Sequence, residues 1–270
     1  MGVILCDLAA DPGENVARLE SLDELKHDLA TVAPGYRRRI RIVPAPGAVL
    51  ALLEDDIHAM AVRLRHHGGS VTAVEPLLDR MPWSTCPGAA RVLIETFTGL
   101  PLAQVGPRLA RKANCTHLHD LAVLAATHAH DDAPTLYDIA VSDPVDGRRE
   151  LTLQRDGSPL LHWTEQDGVL AAPPELAGRT LYNLREAIAG MPAERMEAAR
   201  LLQWGGIVAH GRTIPLAHQS DATRIPPNCY TFQPERAALA ERVGRVIDFS
   251  ADGLTPGQTF SRELGLAAVD

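Results

Sequence analysis

The sequence predicts an α+β protein. An antiparallel meander leads into two cysteine-led helices, and a second antiparallel meander follows with helices toward the C-terminal end. Three observations carry this reading. Short segments alternating apolar and polar residues recur between breaks containing Gly and Pro. Two stretches with helical periodicity, each opened by a cysteine, then interrupt the strands. Beyond them, the pairs Asp146-Gly147, Asp156-Gly157 and Asp167-Gly168 recur about every ten residues, the residue choice of tight hairpins.

Taken in order, residues 1–36 read as an acidic appendage with helix-like pieces around Asn15 to Leu29. Arg39 to Val43 alternates as a strand and is broken by Pro44-Ala-Pro-Gly47; Val49 to Leu53 reads as a second strand. Ile57, Met60, Val62 and Leu64 belong to a third that starts near Asp56, His66 to Ser70 forms a turn, and Val71 to Leu78 is a fourth strand. A helix runs from Pro87 or Gly88 to Phe97 and ends at Gly99, as Pro near a helix start and Gly past its end dictate. The next runs from about Thr116 to His128, with Leu118, Leu121, Ala122 and Ala125 as its apolar stripe. Tyr137 to Ser142, Glu150 to Gln154, Leu160 to Thr164 and Val169 to Ala172 make the second meander, and helices are expected at Ala193 to Trp204 and Glu235 to Val246. Three regions result: 1–36, a cysteine-site domain over 37–133, and a second meander with helices over 134–270, packed on the first.

Bulk properties narrow the function classes. A net charge of −8 argues against a dedicated nucleic-acid binder, which would carry a basic domain. No apolar run reaches the roughly 20 residues of a membrane span. The opening MGVILCDLAADPGE lacks the basic and long apolar regions of an export signal, so a cytoplasmic location is expected. In that compartment Cys6, Cys86, Cys115 and Cys229 are read as free thiols, ligands or nucleophiles rather than bridges. No GxGxxG, Walker loop, GxSxG or HExxH occurs, which disfavours nucleotide-dependent, α/β-hydrolase and zincin chemistry.

The candidate site centres on Cys86, in PWSTCPGA, and Cys115, in NCTHLHDL. A thiol at a helix start meets unpaired N–H groups and the positive end of the dipole, which favour the thiolate that binds metal or attacks an electrophile. His117 and His119 follow Cys115 by two and four residues, and Cys with His suits zinc or iron, with a carboxylate completing the set. Asp55, Asp56 and His58 open a strand able to face the same end of the sheet. Asp56, Cys86, Cys115 and His117 are therefore the expected metal ligands, with His58 as an alternative to His117, and His119 and Asp120 are expected to move protons. Cys229 is read as a packed residue or a third thiol, and Arg212 as a possible fork for a carboxylate or phosphate.

The stretches EDDIHAMAVRLRH, GGSVTAVEPLL, PWSTCPGAARVLIETFTGLPL and NCTHLHDLAVLAATHA, from Glu54 to Ala129, resemble the iron–sulfur scaffold fold of the NifU/IscU type. The resemblance implies that Asp55 or Asp56 stands for the scaffold's aspartate, Cys86 for its middle cysteine and Cys115 for its last. Glu54 and Asp55 replace the scaffold's first cysteine, and Asn114 replaces its histidine, so a cluster would need His58 or His117. Over most of its length the chain also resembles an uncharacterised bacterial family of unknown function, through PWSTCPGA, CTHLHDL and CYTFQPE.

These readings lead first to a metal-dependent enzyme, a hydrolase or lyase, acting on a small carbonyl or acyl substrate with zinc or iron. A sulfur carrier or iron–sulfur-handling protein is the second reading, and a metal-free enzyme with a cysteine nucleophile the third.

Overall fold

The computed structural model describes residues 34–258 except 107, 108, 214–220 and 252. The helix-like pieces expected before residue 34, Cys6 and His218 lie outside the described residues.

The alternating segments become eight strands: β1 (Gly35–Ala45), β2 (Ala48–Asp55), β3 (Ala59–His67), β4 (Ser70–Arg80), β5 (Thr135–Ser142), β6 (Arg148–Arg155), β7 (Ser158–Gln166) and β8 (Val169–Ala172). All pair antiparallel in one sheet of order β4-β3-β2-β1-β5-β6-β7-β8. The two expected meanders are thus the two halves of a single sheet, joined where Ile40 on β1 faces Tyr137 on β5. Gly35 and Tyr36, read as the end of an appendage, already belong to β1. The three Asp-Gly pairs close the hairpins β5–β6, β6–β7 and β7–β8, with φ of 49° and 78°, 51° and 77°, and 50° and 81°. Positive φ at both central residues matches the right-handed strand twist, and Gly tolerates it without steric cost.

Every sizeable helix lies on one face of the sheet. Cys86–Gly88 forms a short 3-10 turn that runs into α1 (Ala89–Phe97), and α2 (Thr116–Thr127) follows. These pack over β2, β3 and β4, burying Leu93, Phe97, Leu118, Leu121, Ala122 and Ala125. The predicted stripe of α2 is its buried face. On the other half, α3 (Arg185–Ala189) and α4 (Ala193–His210) follow the second meander, and α4 packs over β5, β6 and β7. Gly205 and Gly206 bring α4 close to the sheet, against Ile139 and Leu151. Between the two helical packs the sheet is bridged by side chains over β1.

Two boundaries differ from expectation. The third strand starts at Ala59 rather than near Asp56, because the Asp55 carboxylate accepts the backbone N–H groups of Ile57 and His58 at 2.8 and 2.7 Å and folds them into the β2–β3 turn. The final helix, expected over 235–246, covers only α5 (Pro234–Ala237). Its remainder runs alongside residues 82–84, with Ser84 N–H on Glu241 O at 2.9 Å and Val243 N–H on Pro82 O at 2.9 Å. Gly244 then turns away at φ 78°. Tertiary pairing overrides a weak local helical preference there.

Candidate active site

β1 sends Tyr36, Arg38, Ile40 and Ile42 to the helical face, since alternate residues share a face. Arg38 is therefore carried into the core, where it is 3% exposed. Its partner is Asp55 at the end of β2, placed directly across by the β1–β2 register and 0% exposed. Nε and Nη2 of Arg38 donate to Asp55 Oδ2 at 3.0 and 2.7 Å, and the Tyr36 hydroxyl donates to the same oxygen at 2.7 Å. Oδ1 accepts the two turn N–H groups.

The turn also places His58 against this carboxylate, its Nδ1 3.1 Å from Oδ1. A carboxylate only accepts, so Nδ1 carries a proton. Nε2 has no hydrogen-bond partner among the described residues. His117, in the first turn of α2, stacks on His58 with ring centroids 3.9 Å apart and planes at 31°. Arg38 Nη2 donates to His117 Nε2 at 3.2 Å. Asp55, His58 and His117 each present a donor atom within 4.8 Å of the others.

The charges in this group are fixed by their neighbours. Burial works to raise the Asp55 carboxyl, but His58 and Arg38 outweigh it and hold the group well below the usual carboxylate range. Burial, reinforced by His58 and Arg38, holds His117 well below the ordinary imidazole value and so neutral. Burial likewise raises the Tyr36 phenol, which remains a donor.

A small cavity of about 20 Å³ reaches this group from the crevice between α2 and α4, directly over β1; Arg38, His117, Asp120 and Trp204 line it. A groove of about 430 Å³ between α2 and the α3–α4 pair adjoins it, and Asp120, Leu124, Leu201 and Trp204 line both.

Of the expected ligands, the structure brings His117 to this group and places the other three elsewhere. Asp56, one residue past the inward-facing Asp55, accepts Arg37 N–H at 3.2 Å and pairs with Arg212 Nη1 at 2.5 Å. Burial pushes its carboxyl up to about 7 against the pull of Arg212. The Arg212 fork is occupied by the chain's own carboxylates, pairing with Asp143 at 3.1 Å and Asp248 at 2.6 Å besides Asp56. Cys86 is buried with Sγ 3.4 Å from Thr231 Oγ1, and Cys115, which caps α2, is part of the hydrophobic core. The thiolate expected at these helix starts is not favoured. Burial raises Cys86 and pushes Cys115 up to about 12, because desolvation outweighs the helix end. Cys229 is half-buried, and its thiol is also raised by burial.

The two expected proton movers diverge. His119 is 0% exposed, beside Phe97, and its Nε2 donates to the Leu109 carbonyl at 2.7 Å. Asp120 faces the crevice and is held by Arg111 at 3.0 and 3.2 Å. Sequence reasoning missed Tyr36 and Arg38. The available signal was period-two alternation in YRRRIRI, which puts Arg38 on the same face as Tyr36 and Ile40.

Residues 47–131 match a family model described as "Protein of unknown function (DUF2889)". The matched span holds Asp55, His58, Cys86, Cys115 and His117, and stops short of Tyr36, Arg38 and the α4 wall of the crevice. No curated protein matches the chain. Among the described residues, no helix is long and apolar enough to cross a membrane.

Proposed function

We propose that the chain is an enzyme that performs acid–base chemistry on a small carbonyl or acyl substrate in the crevice over β1. The observation that carries this reading is the Asp55–His58 pair. A buried, ionised carboxylate would keep a proton on Nδ1, so that the neutral form of the imidazole presents its lone pair at Nε2, the arrangement a general base requires. His58 would take a proton from water or substrate. Arg38, which lines the cavity, would stabilise negative charge developing on the substrate oxygen. His117 would form the neutral wall between them.

A second reading has its own support: the Asp55, His58 and His117 donor atoms are close enough to hold zinc or iron. Against it, both Asp55 oxygens already accept from Tyr36, Arg38 and two backbone N–H groups, and Arg38 sets a fixed positive charge beside the site. In this second reading Asp55 is better suited to orient His58 than to bind the ion itself. The sulfur-carrier or NifU/IscU-like role, and a cysteine nucleophile, have less support because burial raises the thiols they depend on.

p-Nitrophenyl acetate is a suitable acyl probe. The expected outcome is turnover that falls about 100-fold or more in His58→Ala, in line with the usual contribution of a general base, and persists in Cys86→Ala. Unchanged turnover in His58→Ala would refute the proposal. Elemental analysis of the purified protein, with Co²⁺ titration read in the visible spectrum, separates the two readings: one ion per chain, lost in His58→Ala and His117→Ala, would favour the metal enzyme.

A further inference from the structure

The acid–base chemistry leaves the groove between α2 and the α3–α4 pair without a task. Its walls are apolar: Val123, Leu124, Ile188, Met196, Leu201 and Trp204. Its volume of about 430 Å³ lies in the range of pockets that take small organic ligands. It shares Asp120, Leu124, Leu201 and Trp204 with the small cavity at His117 and Arg38, so a ligand lying along it would point one end at His117 and Arg38.

The charges along the groove do not cancel. Both of its carboxylates are committed: Asp120 is held by Arg111 at 3.0 Å, and Glu197 accepts from the Tyr137 hydroxyl at 2.7 Å and pairs with His128 at 3.0 Å. Those same contacts occupy Arg111 and His128, and Arg111 is also stacked over the Trp204 ring at 4.1 Å. Arg185 and Arg200 remain at the rim, both exposed and with no ion pair among the described residues. An apolar trough with unmatched guanidinium groups at its edge is complementary to a ligand with an apolar body and an anionic end.

We infer that this groove binds the substrate of the proposed enzyme, and that the substrate is an amphiphile: an apolar acyl or similar body, carrying a carboxylate or phosphate that meets Arg185 and Arg200. The inference rests on the reading of the crevice as the active site, and it adds the class of molecule. The body lies between α2 and α4 on Leu124, Leu201 and Trp204, with the reacting carbon toward His117 and the anion at the rim.

Isothermal titration calorimetry with three probes of one chain length tests it: decanoate, decyl phosphate and decanol. The expected result is binding of at least one anionic probe about tenfold or more tighter than decanol, and a loss of about fivefold or more in Arg185→Gln and in Arg200→Gln, as expected for an exposed charge-assisted contact. Whichever anion binds more tightly identifies the anionic group. Both arginines are exposed, so these variants fold; Val123→Trp, which narrows the groove, should weaken all three probes together. Binding of decanol as tight as that of either anion, or no binding of any probe, overturns the inference. His58→Ala is the control that keeps the two proposals apart. It should bind the anionic probe as the unaltered protein does, even though it no longer turns over p-nitrophenyl acetate.

Discussion

Asp55→Asn is the most informative single change, because one side chain serves both the fold and the chemistry. The amide removes the only negative charge bonded to Arg38 among the described residues; Arg38 is 3% exposed, and its Nε and Nη2 both point at the lost carboxylate oxygen. Breaking a buried ion pair by removing one partner costs about 3–5 kcal/mol, since the remaining charge stays buried and uncompensated. An internal comparison is available. Arg39 and Asp138 form a similar pair at 2.7 Å, but both are about one-third exposed, and Asp138→Asn should cost less than about 1 kcal/mol. Urea unfolding followed by circular dichroism and tryptophan fluorescence measures both, provided the two transitions coincide. If the loss arises from a stranded guanidinium, Asp55→Asn combined with Arg38→Met should recover a substantial part of it, because the two residues are directly coupled. A cost under about 1 kcal/mol for Asp55→Asn, or strict additivity in the double variant, would refute the reasoning. The same substitution should release the fixed tautomer of His58, read as a change in its ring ¹⁵N shifts.

Two further outcomes follow from the packing of α4. Glu197 and Asp131 hold His128 above the ordinary imidazole value despite burial, so its contribution to stability is full below the unfolded-state pKa of about 6.5 and is lost as pH rises through the folded-state value. Melting temperatures of the protein and of His128→Gln should therefore differ most at acid pH and converge as the solution becomes alkaline; a gap independent of pH would contradict this. In Gly205→Ala the new methyl would sit 2.9 Å from Ile139 Cγ2, on a β-branched side chain with little rotameric freedom. Overpacking of about 1–3 kcal/mol then outweighs a helix-propensity gain of about 1 kcal/mol. A lowered melting temperature is expected, and a raised one would show that the sheet yields at Ile139.

The candidate site was only half legible in the sequence. His58, Asp55 and His117 stand out as polar residues beside apolar periodic segments, but nothing local says which of Asp55 and Asp56 faces inward. The β1–β2 register decides it by setting Asp55 opposite Arg38 and leaving Asp56 to Arg212. The cysteines show the opposite error. Their position at helix starts is a local property and is observed, whereas their ionisation depends on burial, which packing against Thr231 and the core imposes. Arg38 was hidden because a charged residue in a short strand normally reads as solvent-facing, and only the sheet's central position for β1 buries it.

The same division holds for the fold. Strand alternation, the three Asp-Gly turns and the stripe of α2 are set by interactions between residues close in the chain, so the sequence by itself determined the α+β class and most element positions. Order in space is different. That the two meanders share one sheet through β1 and β5 depends on pairing across about a hundred residues, and no local pattern encodes it. The crevice between the two helical packs, with Arg38, Asp55, His58 and His117 meeting beneath it, rests on that pairing, and the shortened final helix on the pairing of its remainder with residues 82–84. Local physics chose the elements, and tertiary structure alone decided which of their buried polar side chains would meet.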